Sequence, residues 1–101
     1  MTEEELFNNL SALQIPVAYD HFMTPQKLPF IVYRVNDIDP FDADNITLFY
    51  KNNYQVALCT EVRNLTMEAS IEEMLTNNQL PFTKMIDYVE SERFYQTNYY
   101  F

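Results

Sequence analysis

Glycine is absent from all 101 residues, where average usage is roughly 7%. Phosphate-cradling loops and dinucleotide-binding turns both need backbone that a Cβ obstructs, so the glycine-built nucleotide signatures are excluded. Turns then have to come from asparagine, aspartate and proline, which tolerate or preset turn geometry. Cysteine is nearly absent too: Cys59 stands alone, which rules out an internal disulfide and a multi-cysteine zinc site. Bases are few, 6 against 15 acids, for a formal net charge of −9. Lys27, Arg34, Lys51, Arg63, Lys84 and Arg93 are scattered singly, so no basic patch exists to neutralise phosphates, and ordinary nucleic-acid binding is not expected. No apolar run is long enough to span a bilayer and no charged start precedes one, so the expectation is a chain without membrane anchor or secretion signal, intracellular where it is made. The sequons at Asn45 and Asn64 carry no weight in that setting.

What is present is core-forming material. Apolar residues make up 48% and aromatics 16%, enough for one hydrophobic core over residues 1–101 and too much for an intrinsically disordered chain. Thr2 followed by three glutamates starts a helix, with Leu6, Leu10 and Leu13 on one face up to Gln14 and Pro16 beyond. Val17–Phe22 reads as a short strand, and Pro29–Val35, β-branched and aromatic, as a buried one. Asn36–Asn45 reads as an acidic loop. From Ile46 to Thr60 the even positions keep one alternating phase through Asn52-Asn53, which predicts one long bent strand and not a hairpin. Met67, Ile71, Met74 and Leu75 share the stripe of a second helix capped by Asn64 or Thr66, with Glu68, Glu72 and Glu73 directed to water. Phe82–Val89 and Phe94–Phe101 read as strands joined by a turn at Glu90-Ser91-Glu92. The fold class expected is α+β: a single domain with an antiparallel or mixed sheet of four to five strands and two α-helices packed on one face.

The last strand divides its rings by alternation: Tyr95, Thr97, Tyr99 and Phe101 toward the core, and Phe94, Gln96, Asn98 and Tyr100 the other way. Sixteen aromatic residues in so small a domain are hard to hide entirely, and tyrosine and phenylalanine are enriched at protein contacts, so some should meet a partner.

Chemistry is harder to find. His21 is the single histidine. A histidine base needs an orienting carboxylate and a nucleophile nearby, and a sequence neighbour such as Asp20 usually points elsewhere. Cys59 lies on the Gln55-Ala57-Cys59 side of the long strand and reads as an inert buried thiol. Asp37, Asp39, Asp42 and Asp44 offer oxygen ligands, but the glycine and glutamate that a calcium-binding EF-hand loop requires are missing. Catalytic residues, metal ligands and cofactor-binding residues are therefore expected to be none.

Taken in order, "ALQIPVAYDHF", "PFIVYRV", "DADN", "YQVALCT", a helix and "YVESERFYQTNYYF" resemble the small head–tail joining and tail-completion proteins of long-tailed bacteriophages and prophages, the group akin to tail terminators. The resemblance implies a non-enzymatic α+β virion subunit that forms a homo-oligomeric ring, possibly a hexamer, capping the tail tube and joining it to the head. Its partners would be other tail or connector proteins. Its place would be the virion, reached from the host cytoplasm during assembly, without sequence-specific nucleic-acid binding and without membrane. A ring needs heterologous contacts, for which the candidates are Phe94 and Tyr100 from the last strand and Phe41, Asp42 and Asp44 from the acidic loop. An acidic lumen would repel DNA and let a genome slide. The alternative is an acidic phage-encoded inhibitor that mimics DNA and binds a host enzyme.

Overall fold

The computed structural model describes the backbone of residues 1–43 and 46–101, with side chains for residues 1–38 and 51–101. Helix α1 spans Glu3–Ser11. Thr2 caps it, its hydroxyl accepting from the Glu5 amide while the Glu5 carboxylate accepts from the Thr2 amide, so two orphan donors are satisfied reciprocally. The helix is shorter than the Thr2–Gln14 reading because the cap itself lies outside it and Gln14 turns into the left-handed region, φ 63°. Strands β1 (Val17–Tyr19), β2 (Phe30–Ala43) and β3 (Ile46–Thr60), helix α2 (Leu65–Asn77), and strands β4 (Thr83–Val89) and β5 (Phe94–Tyr100) follow. Asn64 is the α2 cap, its side chain accepting from the Met67 amide at 3.1 Å.

The five strands form one sheet in the order β1-β2-β3-β5-β4, with β1 parallel to β2 and every other pair antiparallel. This is the expected α+β domain with two helices on one face of a mixed sheet. Alternation along the strands turns Ile31 and Tyr33 of β2, Val56 and Leu58 of β3, and Thr97 and Tyr99 of β5 toward the helices, since these residues are register partners across the sheet. There they meet Leu6 and Leu10 from α1 and Ile71 and Leu75 from α2 in a single core cluster. The helical stripes therefore bury their leucines and isoleucines by packing, which at roughly 1.5–3 kcal/mol per large apolar side chain outweighs any propensity term.

Beyond that layer β2 and β3 run on together. The acidic stretch from Asn36 is not a loop: β2 continues through it to Ala43, paired with β3 down to Ala43–Ile46. The physical reason is the partner strand, whose unbroken alternation supplies a ladder that aspartates accept on an exposed ribbon. The register shifts between Val35 and Asp37, where Asn36 is the extra residue, and again between Phe41 and Asp42. Such bulges bend and over-twist a ribbon, so the first one marks where the β2–β3 arm leaves the sheet. With it the molecule extends 50 × 27 × 22 Å. The long bent strand read for Ile46–Thr60 is present as β3.

Among the described residues the left-handed positions fall, without glycine, to Gln14, Asp20, Gln79 and Arg93, φ 57–64°; of these four only Asp20 is of a type expected to turn the chain. Gln79 sits just past α2, where the Gln79 amide bonds the Thr76 carbonyl and the Leu80 amide bonds the Leu75 carbonyl. That pattern is a Schellman close in the place glycine usually takes. It ends α2 four residues before Pro81 and turns Leu80 back onto the core.

Candidate functional site

Three surfaces are left without a partner in the described residues. The first is the arm. From Asp37 to Ala43 and from Ile46 to Asn53 the two strands pair with each other and with no third strand. A two-stranded ribbon alone is marginal in water, and this one joins no further strand among the described residues. Ile38 is half exposed on it, while Asp37 accepts a hydrogen bond from the Asn53 side chain across the pair.

The second is the outer edge of β4, which pairs only with β5. Met85, Ile86 and Tyr88 are all exposed along it. These residues were not singled out from sequence, although a signal was there: Met85 and Ile86 are adjacent, and in a strand adjacent side chains cannot both face the core.

The third is the helix-free face of the sheet. Arg34 donates from Nε to the Gln55 side-chain oxygen at 2.9 Å, and Gln55 and Gln96 both donate to the Asn98 side-chain oxygen, at 3.1 and 2.9 Å. Asn98 in turn donates to Asp87 at 3.3 Å. Asn98, Ala57 and Cys59 are buried beneath this layer. Burial pushes the Cys59 thiol up to about 11, which makes it a poor nucleophile, as the sequence reading expected. At one end, Phe22 of the loop after β1 packs edge-on against Phe30, and Phe30 against Phe94, with centroids 5.4 and 6.1 Å apart.

The helix-covered face holds an ion cluster that the sequence reading missed. Glu68 does not point to water. It is 2% exposed, and Arg63 and Lys84 reach its Oε1 at 2.9 and 2.8 Å. Lys84 also pairs with Glu72, 2.9 Å away, and the buried Tyr99 hydroxyl donates to the same Glu72 oxygen at 2.7 Å. Burial opposes the charge on Glu68 and Glu72, yet the hydrogen bonds from Arg63, Lys84 and Tyr99 prevail and hold both carboxyls below the ordinary glutamate range. The hydrogen bond to Glu68 raises Lys84 in step, and burial together with the bond to Glu72 raises Tyr99. Glu73 alone of the three is exposed. The signal was weak: Arg63 precedes Glu68 by five residues, but Lys84 comes from a different element. The cluster ties α2 to β4 and β5.

The described contact candidates do not converge. In the arm's backbone register Phe41 is the partner of Phe49 and Asp42 that of Thr47; Asp44 lies outside the described residues. Phe94 and Tyr100 both turn to the helix-free face and are half-buried, but they stand at opposite ends of β5, roughly 20 Å apart at the usual strand rise. Tyr100 is at the arm end and Phe94 is spent partly on Phe30. The expectation that Asp20 would point away from His21 is overturned: their side chains meet at 3.0 Å, because Asp20 adopts the left-handed backbone as β1 ends. Both are exposed, and no serine or cysteine side chain is within hydrogen-bond reach of the imidazole among the described contacts. No group of three or more potential metal ligands occurs among the described residues, and none of the described helices is long and apolar enough to cross a membrane. No protein-family model, curated protein or solved structure matches this chain.

Proposed function

We propose that this chain is a non-enzymatic assembly subunit of the head–tail joining and tail-completion class, forming a ring with copies of itself and contacting tail or connector proteins. The observation that carries the reading is the β2–β3 arm, a ribbon that runs on from the sheet, pairs with no third strand among the described residues and leaves Ile38 half exposed. An isolated ribbon of that length gains its stability from what it docks on. The arm and the open β4 edge are different surfaces, so an arm-to-neighbour contact is heterologous, the kind of contact from which rings are built when the rotation closes. The resemblance of the sequence to phage joining proteins supports the particular assembly, and the charge of −9 suits a surface that must not hold DNA.

The alternative, a DNA-mimicking inhibitor, loses support from the ion cluster. Glu68 and Glu72 are consumed by Arg63, Lys84 and Tyr99, so two carboxylates that such a mimic would display are withdrawn from its surface.

The test is deletion of the gene from the phage or prophage that carries it, followed by electron microscopy, with complementation by the full chain and by a chain lacking the arm. Separate filled heads and unjoined or overlong tails, rescued only by the full chain, are the expected result. Normal virions from the deletion end the reading.

A further inference from the structure

β4 is an edge strand built like an interior one. Its seven residues pair with β5 in unbroken register, from Thr83 opposite Tyr100 to Val89 opposite Phe94, and with no other strand among the described residues. Open edges are ordinarily protected by bulges, prolines, short length or charges that a joining strand would leave unmatched. β4 carries no bulge and no proline. Its two charged residues already have partners within the chain, Lys84 in Glu68 and Glu72, and Asp87 in the Asn98 amide. What is left on the strand is apolar: Met85, Ile86 and Tyr88 are 53, 40 and 49% exposed. Register with Thr97 and Tyr99 places Lys84, Ile86 and Tyr88 on the helix-covered side and Met85 and Asp87 on the other. The helices stop short of Ile86 and Tyr88, which leaves the strip beside them open.

We propose that β4 pairs antiparallel with β4 of a second copy, joining two five-stranded sheets into one. A strand edge is completed by extended backbone that returns its amide and carbonyl groups in register, and β4 meets that requirement with itself. A two-fold axis through an antiparallel pair stands perpendicular to the sheet, so residues of like face lie opposite and the contact is isologous. Ile86 is the midpoint of the strand. Centred there, all seven residues pair: Ile86 opposes itself, Lys84 opposes Tyr88, Met85 opposes Asp87 and Thr83 opposes Val89. No charge meets its like, and each Tyr88 ring is set beside the aliphatic stem of a lysine. The neighbouring registers are worse, since each keeps only five of the seven residues paired. Centring on Asp87 also sets two carboxylates directly opposite, and centring on Met85 drives Tyr88 past the strand end. The joint edge is one strand wide and about 23 Å long at strand rise, short of the roughly 800 Å² a side of a standard interface. The dimer is therefore weak, with a dissociation constant of roughly 10–100 µM. It uses no residue of the arm, so its fate is separate from that of the assembly reading.

The test is sedimentation equilibrium of the full chain from about 5 to about 500 µM, with disulfide trapping at chosen positions. A monomer–dimer equilibrium is expected. It strengthens about threefold when sodium chloride rises from about 50 to about 500 mM, because two chains of net charge −9 repel and salt screens them. Ile86→Lys sets two ammonium groups opposite one another and weakens the dimer about tenfold at unchanged melting temperature. Under mild oxidation Ile86→Cys gives a disulfide-linked dimer, because directly opposed residues have Cα atoms about 4.5–5.5 Å apart, inside the disulfide range. Tyr88→Cys opposes Lys84 and stands about 13 Å from its own copy, so it links at least about tenfold more slowly. Cys59 is buried and adds no bridge of its own. The proposal is overturned by a chain that stays monomeric at the highest concentration, by a dimer that weakens with salt, or by Tyr88→Cys linking as fast as Ile86→Cys. A dimer indifferent to Ile86→Lys overturns it as well, and would put the contact on another surface such as the arm.

Discussion

Lys84 Nζ lies 2.8 Å from Glu68 Oε1 and 2.9 Å from Glu72 Oε2, so one β4 ammonium holds two carboxylates of α2 at the edge of the core. Removing one member of a buried pair leaves the other charge uncompensated, which costs more than the pair was worth. Lys84→Met should lower the unfolding free energy by about 3 kcal/mol at neutral pH, measured by urea denaturation. A loss below about 1 kcal/mol would mean that Arg63 alone satisfies Glu68.

The same cluster sets the direction of the acid response. Glu68 and Glu72 are held below the ordinary glutamate range, so their contribution is fully present above that range and is lost as pH falls through their lowered values. The stability gap between wild type and Lys84→Met should therefore narrow on acidification from pH 7 toward roughly pH 3. A gap that stays constant or widens would show that the ion pairs do not titrate with folding.

Cys59 should be silent in the native protein. With its thiol raised to about 11 by burial, reaction with a thiol reagent at pH 8 should run about a hundredfold slower than for a free cysteine. Reaction should return to the ordinary rate in urea. Fast labelling of the folded chain would show that the helix-free face is open down to its floor.

Gln79 occupies the left-handed position after α2, where a Cβ is strained by about 1–2 kcal/mol and glycine is not. Part of that gain is offset by glycine's greater freedom in the unfolded chain. Gln79→Gly should raise stability by about 0.5–1 kcal/mol and the melting temperature by about 2–8 °C, read by calorimetry or circular dichroism. A fall in melting temperature would mean that the glutamine side chain makes up the difference.

The arm should be dispensable for folding. Among the described residues, none of the core cluster lies in it. Replacing residues 37–53 by Asn-Gly, so that Asn36 and the new pair close a three-residue hairpin between Val35 and Tyr54, should leave a folded domain within about 1 kcal/mol of wild type. Urea denaturation and sedimentation velocity check this. Global unfolding would show the ribbon to be part of the core and not an appendage.

Much of this architecture was legible along the chain, where short-range physics decides. Thr2 and Asn64 cap their helices because an exposed hydroxyl or amide beside unpaired backbone donors has little else to do. The leucine and isoleucine stripes, and the unbroken alternation of β3, report one buried face whatever covers it. The row of Thr97 and Tyr99 facing the helices followed from period two alone. Tertiary structure decided the features that join residues distant in sequence. Nothing local tells Glu68 that Lys84 will arrive beneath it, or turns an aspartate-rich stretch into a strand before β3 lies alongside. The ring contact between Phe30 and Phe94 likewise exists only once β5 has paired with β3. Helix caps and apolar periodicity act within a few residues, so sequence specifies them. Ion pairing, strand extension and ring contacts act through space, and their outcome depends on which surfaces the fold brings into contact.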